Sequence, residues 1–211
     1  MRIAILGAGN VGGALSTALT AAGHEVAVSA ADPEHAQRAA DAAGCRAAGS
    51  NAEAVEGADV VILAVPYAAA AAVLDELGDA LPGTVVVDAT NPLDESYSDL
   101  VTAGTSGTEE LQARLAGTPV VKAFNTIFAS RHASPTEGGA PLDAFVAGDD
   151  ARAKGTVGEL AATLGYRVID AGSLRMARSL EEMAFLNISL NAANGWAWQS
   201  AWKLVGPTGG A

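Results

Sequence analysis

A single cysteine, Cys45, stands among 211 residues. That excludes an internal disulfide and a cysteine-rich metal site, and leaves Cys45 as a helix-end or loop residue. Histidine is nearly as scarce. His24, His35 and His132 are scattered, and none has a partner at a metal-ligand spacing such as H-x-x-x-H, so no metal is expected. Lys and Arg number 12 against 24 Asp and Glu, a formal net charge of -12. A chain so short of basic residues is no general binder of nucleic acid, because phosphate affinity needs clustered Lys and Arg. It also has little attraction to an anionic membrane surface. Long hydrophobic runs are missing too. The longest, Ala58 to Leu74, contains Pro66 and Tyr67 and is short for a membrane span. No signal peptide is read, since a strand begins at Arg2, and a cytoplasmic protein is the expectation. Half the residues are apolar and 17% are charged, which marks a folded chain rather than a disordered one.

What the chain does have is an apolar strand, Arg2 to Leu6, running straight into Gly7-Ala8-Gly9-Asn10-Val11-Gly12. The G-x-G-x-x-G spacing is weak alone, but a strand before it and a helical pattern after it make it a dinucleotide-binding turn. Gly7 permits the tight turn, Gly9 lets a pyrophosphate approach the backbone, and Gly12 lets the helix lie close to the sheet. The helix directs its N-terminal amides at the phosphates. Val11, Leu15, Ala18, Leu19 and Ala22 recur at helical spacing, and Gly23 suits its end.

Strands and helices then alternate. Strands are expected at Glu25–Ala30, Cys45–Ala48, Asp59–Val65, Thr84–Asp88, Pro119–Ala123, Ala144–Ala147 and Tyr166–Asp170. Helices are expected at Pro33–Ala43, Ala52–Val55, Ala68–Leu77, Ser106 to about Leu115, and Ala151–Leu164. Asp94–Thr105 and Ser130–Leu142 read as polar loops. The fold class is α/β: a doubly wound, Rossmann-type, mostly parallel sheet. Residues 1–172 form the dinucleotide-binding domain. From 173 to 205 the pattern becomes a largely helical segment, with Trp196, Trp198 and Trp202 on it, packing on the domain or forming a homodimer surface. Residues 206–211 read as a flexible tail.

In such a sheet the ligand lies outside the carboxyl ends of the strands. Those ends supply Val65 and Pro66, Asn91, and Asn125 through Ala129, with Gly7 to Gly12. No Ser-His-Asp set and no paired carboxylate is found there, which suits a reaction whose chemistry resides in the cofactor. Asn125 and Thr126 can hydrogen-bond a carboxamide, and Ile127 can wall a ring face; these three position the ring. Ser29, Ala30, Ala31 and His35 follow the second strand, where the adenosine ribose is read. Asp32-Pro33 reads first as a helix cap and second as a ribose ligand. Lys122, Arg131, His132, Arg175 and Arg178 gather positive charge in the second half of the chain. They mark an anionic second ligand, or else pair with Asp170, Glu181 and Glu182.

Several stretches together resemble one family. They are Ile5–Gly12, Ala64-Val65-Pro66, Asp88-Ala89-Thr90-Asn91-Pro92, Val121–Ile127, Ala147–Lys154 and Asp170–Arg175. The chain resembles NADPH-dependent reductases of the deazaflavin coenzyme F420, also called F420-dependent NADP oxidoreductases. It is also similar to the cytosolic NADPH-oxidoreductase domain of membrane metalloreductases. The resemblance implies direct hydride transfer between NADP(H) and the deazaflavin, with both rings near Ala8 to Val11 and Asn125 to Ala129. The family commonly carries Ser-Arg after the second strand, where this chain has Ala30 and Ala31, with His35 at a further basic position. That leaves NAD(H) open beside NADP(H), and a flavin open beside the deazaflavin. Two other functions fit the same turn: an NAD(P)H-dependent reductase of a small imine or carbonyl compound, with Tyr67, Tyr97 or His132 as proton donor, and a non-catalytic dinucleotide sensor.

Overall fold

The computed structural model describes residues 1–81 and 83–206; the tail beyond Gly206 lies outside the described residues. The elements in chain order are β1 (Arg2–Leu6), α1 (Asn10–Ala21), β2 (Glu25–Ser29), α2 (Pro33–Ala43), β3 (Arg46–Ala47), α3 (Asn51–Val55), β4 (Val60–Leu63), α4 (Tyr67–Leu77) and β5 (Val85–Asp88). There follow α5 (Gly107–Gln112), β6 (Val120–Lys122), β7 (Thr136–Glu137), β8 (Ala140–Pro141), β9 (Asp143–Ala147), α6 (Ala151–Thr163), β10 (Arg167–Gly172) and α7 (Ala177–Asn194).

The main sheet has the order β10-β9-β6-β5-β4-β1-β2-β3. Its first six strands in sequence are parallel, in the 3-2-1-4-5-6 order of a dinucleotide-binding fold. β9 joins β6 antiparallel, and β10 runs parallel to β9. The centre is apolar for a physical reason. β4 carries Val60, Val61, Ile62 and Leu63, all wholly buried, because helices cover both faces of a parallel sheet. Ile3, Ile5, Leu15, Leu19 and Val28 pack on one face; Leu6, Leu63, Leu74 and Leu111 pack on the other.

Most helix starts are tied by a side chain. Asp32, Ser50, Ser106 and Asp150 each accept an amide of the helix that follows. Asp32 is thus the helix cap that its position before Pro33 suggests, and Ser106 caps α5 through the Glu109 amide. α1 and α4 have no side-chain cap. Both begin at the carboxyl edge of the sheet, so their free amides face the crevice between β1 and β4.

The structure differs from the sequence expectation in three places. α5 stops at Gln112 rather than near Leu115. The loop 130–142 contains the small hairpin β7–β8 and a short helical turn, Ala129–Arg131. The tryptophans do not lie on the long C-terminal helix. α7 ends at Asn194 because Gly195 adopts a left-handed φ of 63°, and Trp196, Trp198 and Trp202 follow in irregular chain.

Candidate active site

The glycine turn is built by contact. Gly7 has φ 111°, and a Cβ there would sit 2.5 Å from the Ala64 carbonyl oxygen at the end of β4. A Cβ on Gly12 would lie 1.8 Å from the Gly7 carbonyl oxygen, so α1 can approach the turn only without one. Gly9 differs: nothing lies within 4 Å of where its Cβ would be. The space over Gly9 is open, and the amides at the start of α1 point toward it. A pyrophosphate fits this arrangement.

From the turn a cavity of about 840 Å³ extends along the carboxyl ends of β5 and β6. Asn10 and Val11 close one end; Ala89 and Asn91 form the floor; Phe124 through Ser130 form one wall. Ala184, Asn187 and Ile188 of α7, with Trp198, form the other. A smaller cavity of about 420 Å³, with Val65, Pro66 and Tyr67, shares Val11, Ala89, Asn91 and Tyr97 with the first, so the two form one crevice.

The wall's polar groups are held in place. Asn91 Nδ2 donates to the Asn125 carbonyl at 3.0 Å, and Asn125 Nδ2 donates to Asn91 Oδ1 at 3.0 Å and to the Leu180 carbonyl at 2.9 Å. Asn125 Oδ1 is buried and has no partner among the described residues. A buried acceptor left unpaired is costly. Phe124 enters this segment at a left-handed φ of 64°, a conformation costly for a bulky residue and held by burial of its ring against His132 and Tyr166. Phe128 and Trp198 meet edge to face with centroids 5.5 Å apart. Tyr97 is the sole ionisable side chain on the larger cavity.

Of the sequence-predicted residues, Asn10, Val11, Asn91, Asn125, Thr126, Ile127 and Ala129 share the main cavity, and Val65 and Pro66 line its extension. Ala30, Ala31 and His35 lie beyond the end of β2, the last two exposed. Ser29 is wholly buried, and its hydroxyl donates to Asn51 Oδ1 at 2.7 Å. The cationic second-ligand set is corrected. Arg131 is turned to the Thr136 carbonyl and Glu137. His132 is buried with Nδ1 2.8 Å from the Tyr166 hydroxyl, and burial pulls its imidazole down to about 4. Arg178 holds Glu109 through two bonds of 2.7 and 2.8 Å, and Arg175 lies with it on a separate surface depression. None of the four lines the main cavity. Tyr67 donates to Glu110 at 2.6 Å, and burial raises its phenol well above the ordinary range.

Lys122 takes the second of its two readings, pairing with Glu181. It is wholly buried, its ammonium 2.9 Å from Asp88 Oδ2, 2.9 Å from Glu181 Oε1 and 2.7 Å from the Thr90 carbonyl. Thr108 donates to Asp88 at 2.7 Å, and the Gly107 amide donates to Glu181 at 3.1 Å. Burial alone would raise Asp88, but Lys122 and the hydroxyls of Thr90 and Thr108 hold it below the usual carboxylate range. This cluster ties β5, β6, α5 and α7 together beneath Asn125. Sequence reasoning offered Glu181 as a pairing partner and missed Asp88. The available signal was an acid ending one apolar strand and a lysine ending the next, and the register places Asp88 directly beside Lys122.

The model of the family described as "NADP oxidoreductase coenzyme F420-dependent" matches residues 2–92. An F420-dependent NADP reductase of Methanothermobacter marburgensis is 36% identical over 212 residues, covering 92% of this chain and 94% of that protein. The chain belongs to the F420-dependent NADP oxidoreductase family. A crystal structure from Arthrobacter sp. FB24, described as a candidate F420-dependent NADP reductase, superposes with a TM-score of 0.87 at 33% identity. It covers 97% of this chain and 99% of that one. Metalloreductase STEAP3 of Rattus norvegicus is 32% identical over 85% of this chain but only 36% of its own length, so the likeness concerns one part of that protein.

Proposed function

We propose that this protein is an oxidoreductase that moves hydride between a nicotinamide dinucleotide and a deazaflavin of the F420 type. The dinucleotide is NADP(H) in the names of its curated relatives. The observation that carries the reading is a neutral cavity, with Asn125 on its wall, that begins at the residues of the open glycine turn. Gly7 to Gly12 would hold the pyrophosphate, and Asn125 would accept from the carboxamide and so fix which ring face is presented. Thr126, Ile127 and Ala129 would wall that ring. The dinucleotide supplies a hydride-donating or hydride-accepting ring carbon; the protein aligns it and excludes water. The remaining cavity toward Trp198 and Asn187 is neutral and partly aromatic, a surface for a second planar ring.

A proton donor is required by an imine or carbonyl reductase but not by ring-to-ring hydride transfer. Tyr67 is engaged with Glu110 and His132 is buried with Tyr166, which leaves Tyr97, on the cavity, as the donor that this alternative would use. The division into residues 1–172 and a packed segment over 173–205 belongs to the same reading, supported by the bonds of Glu181 to Lys122 and of the Leu180 carbonyl to Asn125. So does a cytoplasmic homodimer, for which the exposed Leu186, Leu190 and Trp196 offer an apolar surface. Among the described residues no helix is long and apolar enough to cross a membrane.

The test is anaerobic mixing of purified protein with oxidised deazaflavin and NADPH or NADH. Loss of the oxidised deazaflavin absorbance supports the reading. No change with either dinucleotide, in either direction, refutes it. Turnover of an imine panel would then select the alternative.

A further inference from the structure

We infer that the adenosine end of this site rejects a 2′-phosphate, so that this chain binds NAD(H) in preference to NADP(H); the inference deepens the reading above and rests on it. The Gly7 amide donates to the Ser29 carbonyl at 2.9 Å, which fastens the glycine turn to the carboxyl end of β2. A dinucleotide whose pyrophosphate lies on the turn therefore brings its adenosine ribose to the chain leaving β2. A 2′-phosphate there needs cationic donors, whereas an unsubstituted ribose needs an acceptor for its 2′-hydroxyl.

The residues present supply acceptors. Ala30 and Ala31 offer methyl groups. Asp32 is exposed and stands about twenty residues beyond Gly12, the usual distance of a ribose-binding acid from the turn. Its Oδ1 accepts the Glu34 amide at 2.9 Å, while Oδ2 has no partner among the described residues. Capping α2 and accepting a ribose hydroxyl thus use different oxygens of one carboxylate. Behind it, Ser29 is bonded to Asn51, and Asn51 Nδ2 donates to Glu76 at 3.3 Å, so another acid stands at this edge.

The cations nearby are few and engaged. Arg38 sits one turn along α2, 3.7 Å from Glu34. Arg46 is bonded to Glu53 at 2.7 Å. His35 is exposed in the first turn of α2 and is the remaining basic side chain of the segment 29–35. Placing a phosphate beside Asp32 and Glu34 sets like charges together, which costs affinity for the phosphorylated ligand alone. The relatives' names specify NADP; this stretch of the present chain carries the opposite electrostatics.

The experiment is equilibrium titration of the purified protein with NADH and with NADPH, read by nicotinamide fluorescence, and repeated with Ala31→Arg and Asp32→Asn. The wild type is expected to bind NADH about tenfold or more tighter than NADPH, and Ala31→Arg to move the ratio about tenfold toward NADPH, the scale of one charge-assisted contact. Asp32→Asn is expected to weaken NADH and leave NADPH unchanged or improved. Equal or tighter binding of NADPH by the wild type overturns the inference and leaves the proposed function standing. So does a ratio that neither substitution moves. Binding of neither dinucleotide removes the proposed function and the inference together.

Discussion

Lys122 Nζ lies 2.9 Å from Asp88 Oδ2, and both side chains are wholly buried. The same ammonium meets Glu181 at 2.9 Å, so two acids share one cation. Burial pushes Glu181 above its ordinary range, and the Asp88 charge adds to that, against the pull of Lys122. Replacing Lys122 by Met leaves Asp88 without its counter-charge in a dry setting. Breaking such a pair costs about 3–5 kcal/mol. Lys122→Met is expected to lose that much in urea unfolding, and Glu181→Gln much less, because a neutral amide keeps an acceptor for the Gly107 amide. A loss below about 1 kcal/mol for Lys122→Met would contradict a structural role for the cluster.

His132 supplies a pH dependence. Burial lowers its pKa to about 4, so between the ordinary histidine value and 4 the unfolded chain binds a proton that the folded one does not. Stability from this group is complete above about pH 6.5 and is lost as pH falls toward 4. The loss is up to about 3 kcal/mol at the low end of that window. Unfolding midpoints at pH 7, 6, 5 and 4 check this. His132→Phe, which keeps a ring against Phe124, should flatten the decline; an unchanged slope would assign it to other groups.

The two glycines that open the site separate fold from function. Gly12→Ala puts a Cβ 1.8 Å from the Gly7 carbonyl oxygen, so the turn or α1 must shift. Expected destabilisation is about 2 kcal/mol or more, visible as a lowered Tm. At Gly9 an added Cβ meets no protein atom within 4 Å, so the Tm of Gly9→Asp should hold. Its carboxylate would stand where a pyrophosphate approaches, and dinucleotide binding should be lost. Unchanged affinity for both NADH and NADPH would remove the turn from the site.

The parallel sheet was legible because Asp59–Val65 and Thr84–Asp88 are apolar runs without alternation, and because Gly7, Gly9 and Gly12 sit where a strand meets a helix. The wall at Asn125 was legible as a strand end. What could not be read was the destination of long charged side chains. Arg131, Arg175 and Arg178 are a cationic group in sequence, yet Glu137 claims the first locally and Glu109 claims the last from α5. For Lys122 a ligand and Glu181 were both open as partners, because nothing near it in sequence decides between them, and Glu181 arrives from α7. Trp198 looked helical because a C-cap at Gly195 is indistinguishable, in one sequence, from a tolerated helix glycine.

That misplaced tryptophan yields the last prediction. Trp198 has a left-handed φ of 56°, and its carbonyl accepts from Ser130 at 2.6 Å, so its position is fixed from the wall opposite α7. Its ring, edge to face with Phe128, borders the cavity. Trp198→Ala removes an aromatic contact worth about 0.5–1.5 kcal/mol without touching the turn. The KM for the deazaflavin should rise roughly three- to tenfold, with dinucleotide affinity within about twofold of the wild type. Steady-state kinetics with each co-substrate varied in turn separates the two. If dinucleotide affinity falls and the deazaflavin KM does not, the second ring lies elsewhere, and the aromatic end of the cavity belongs to the nicotinamide half.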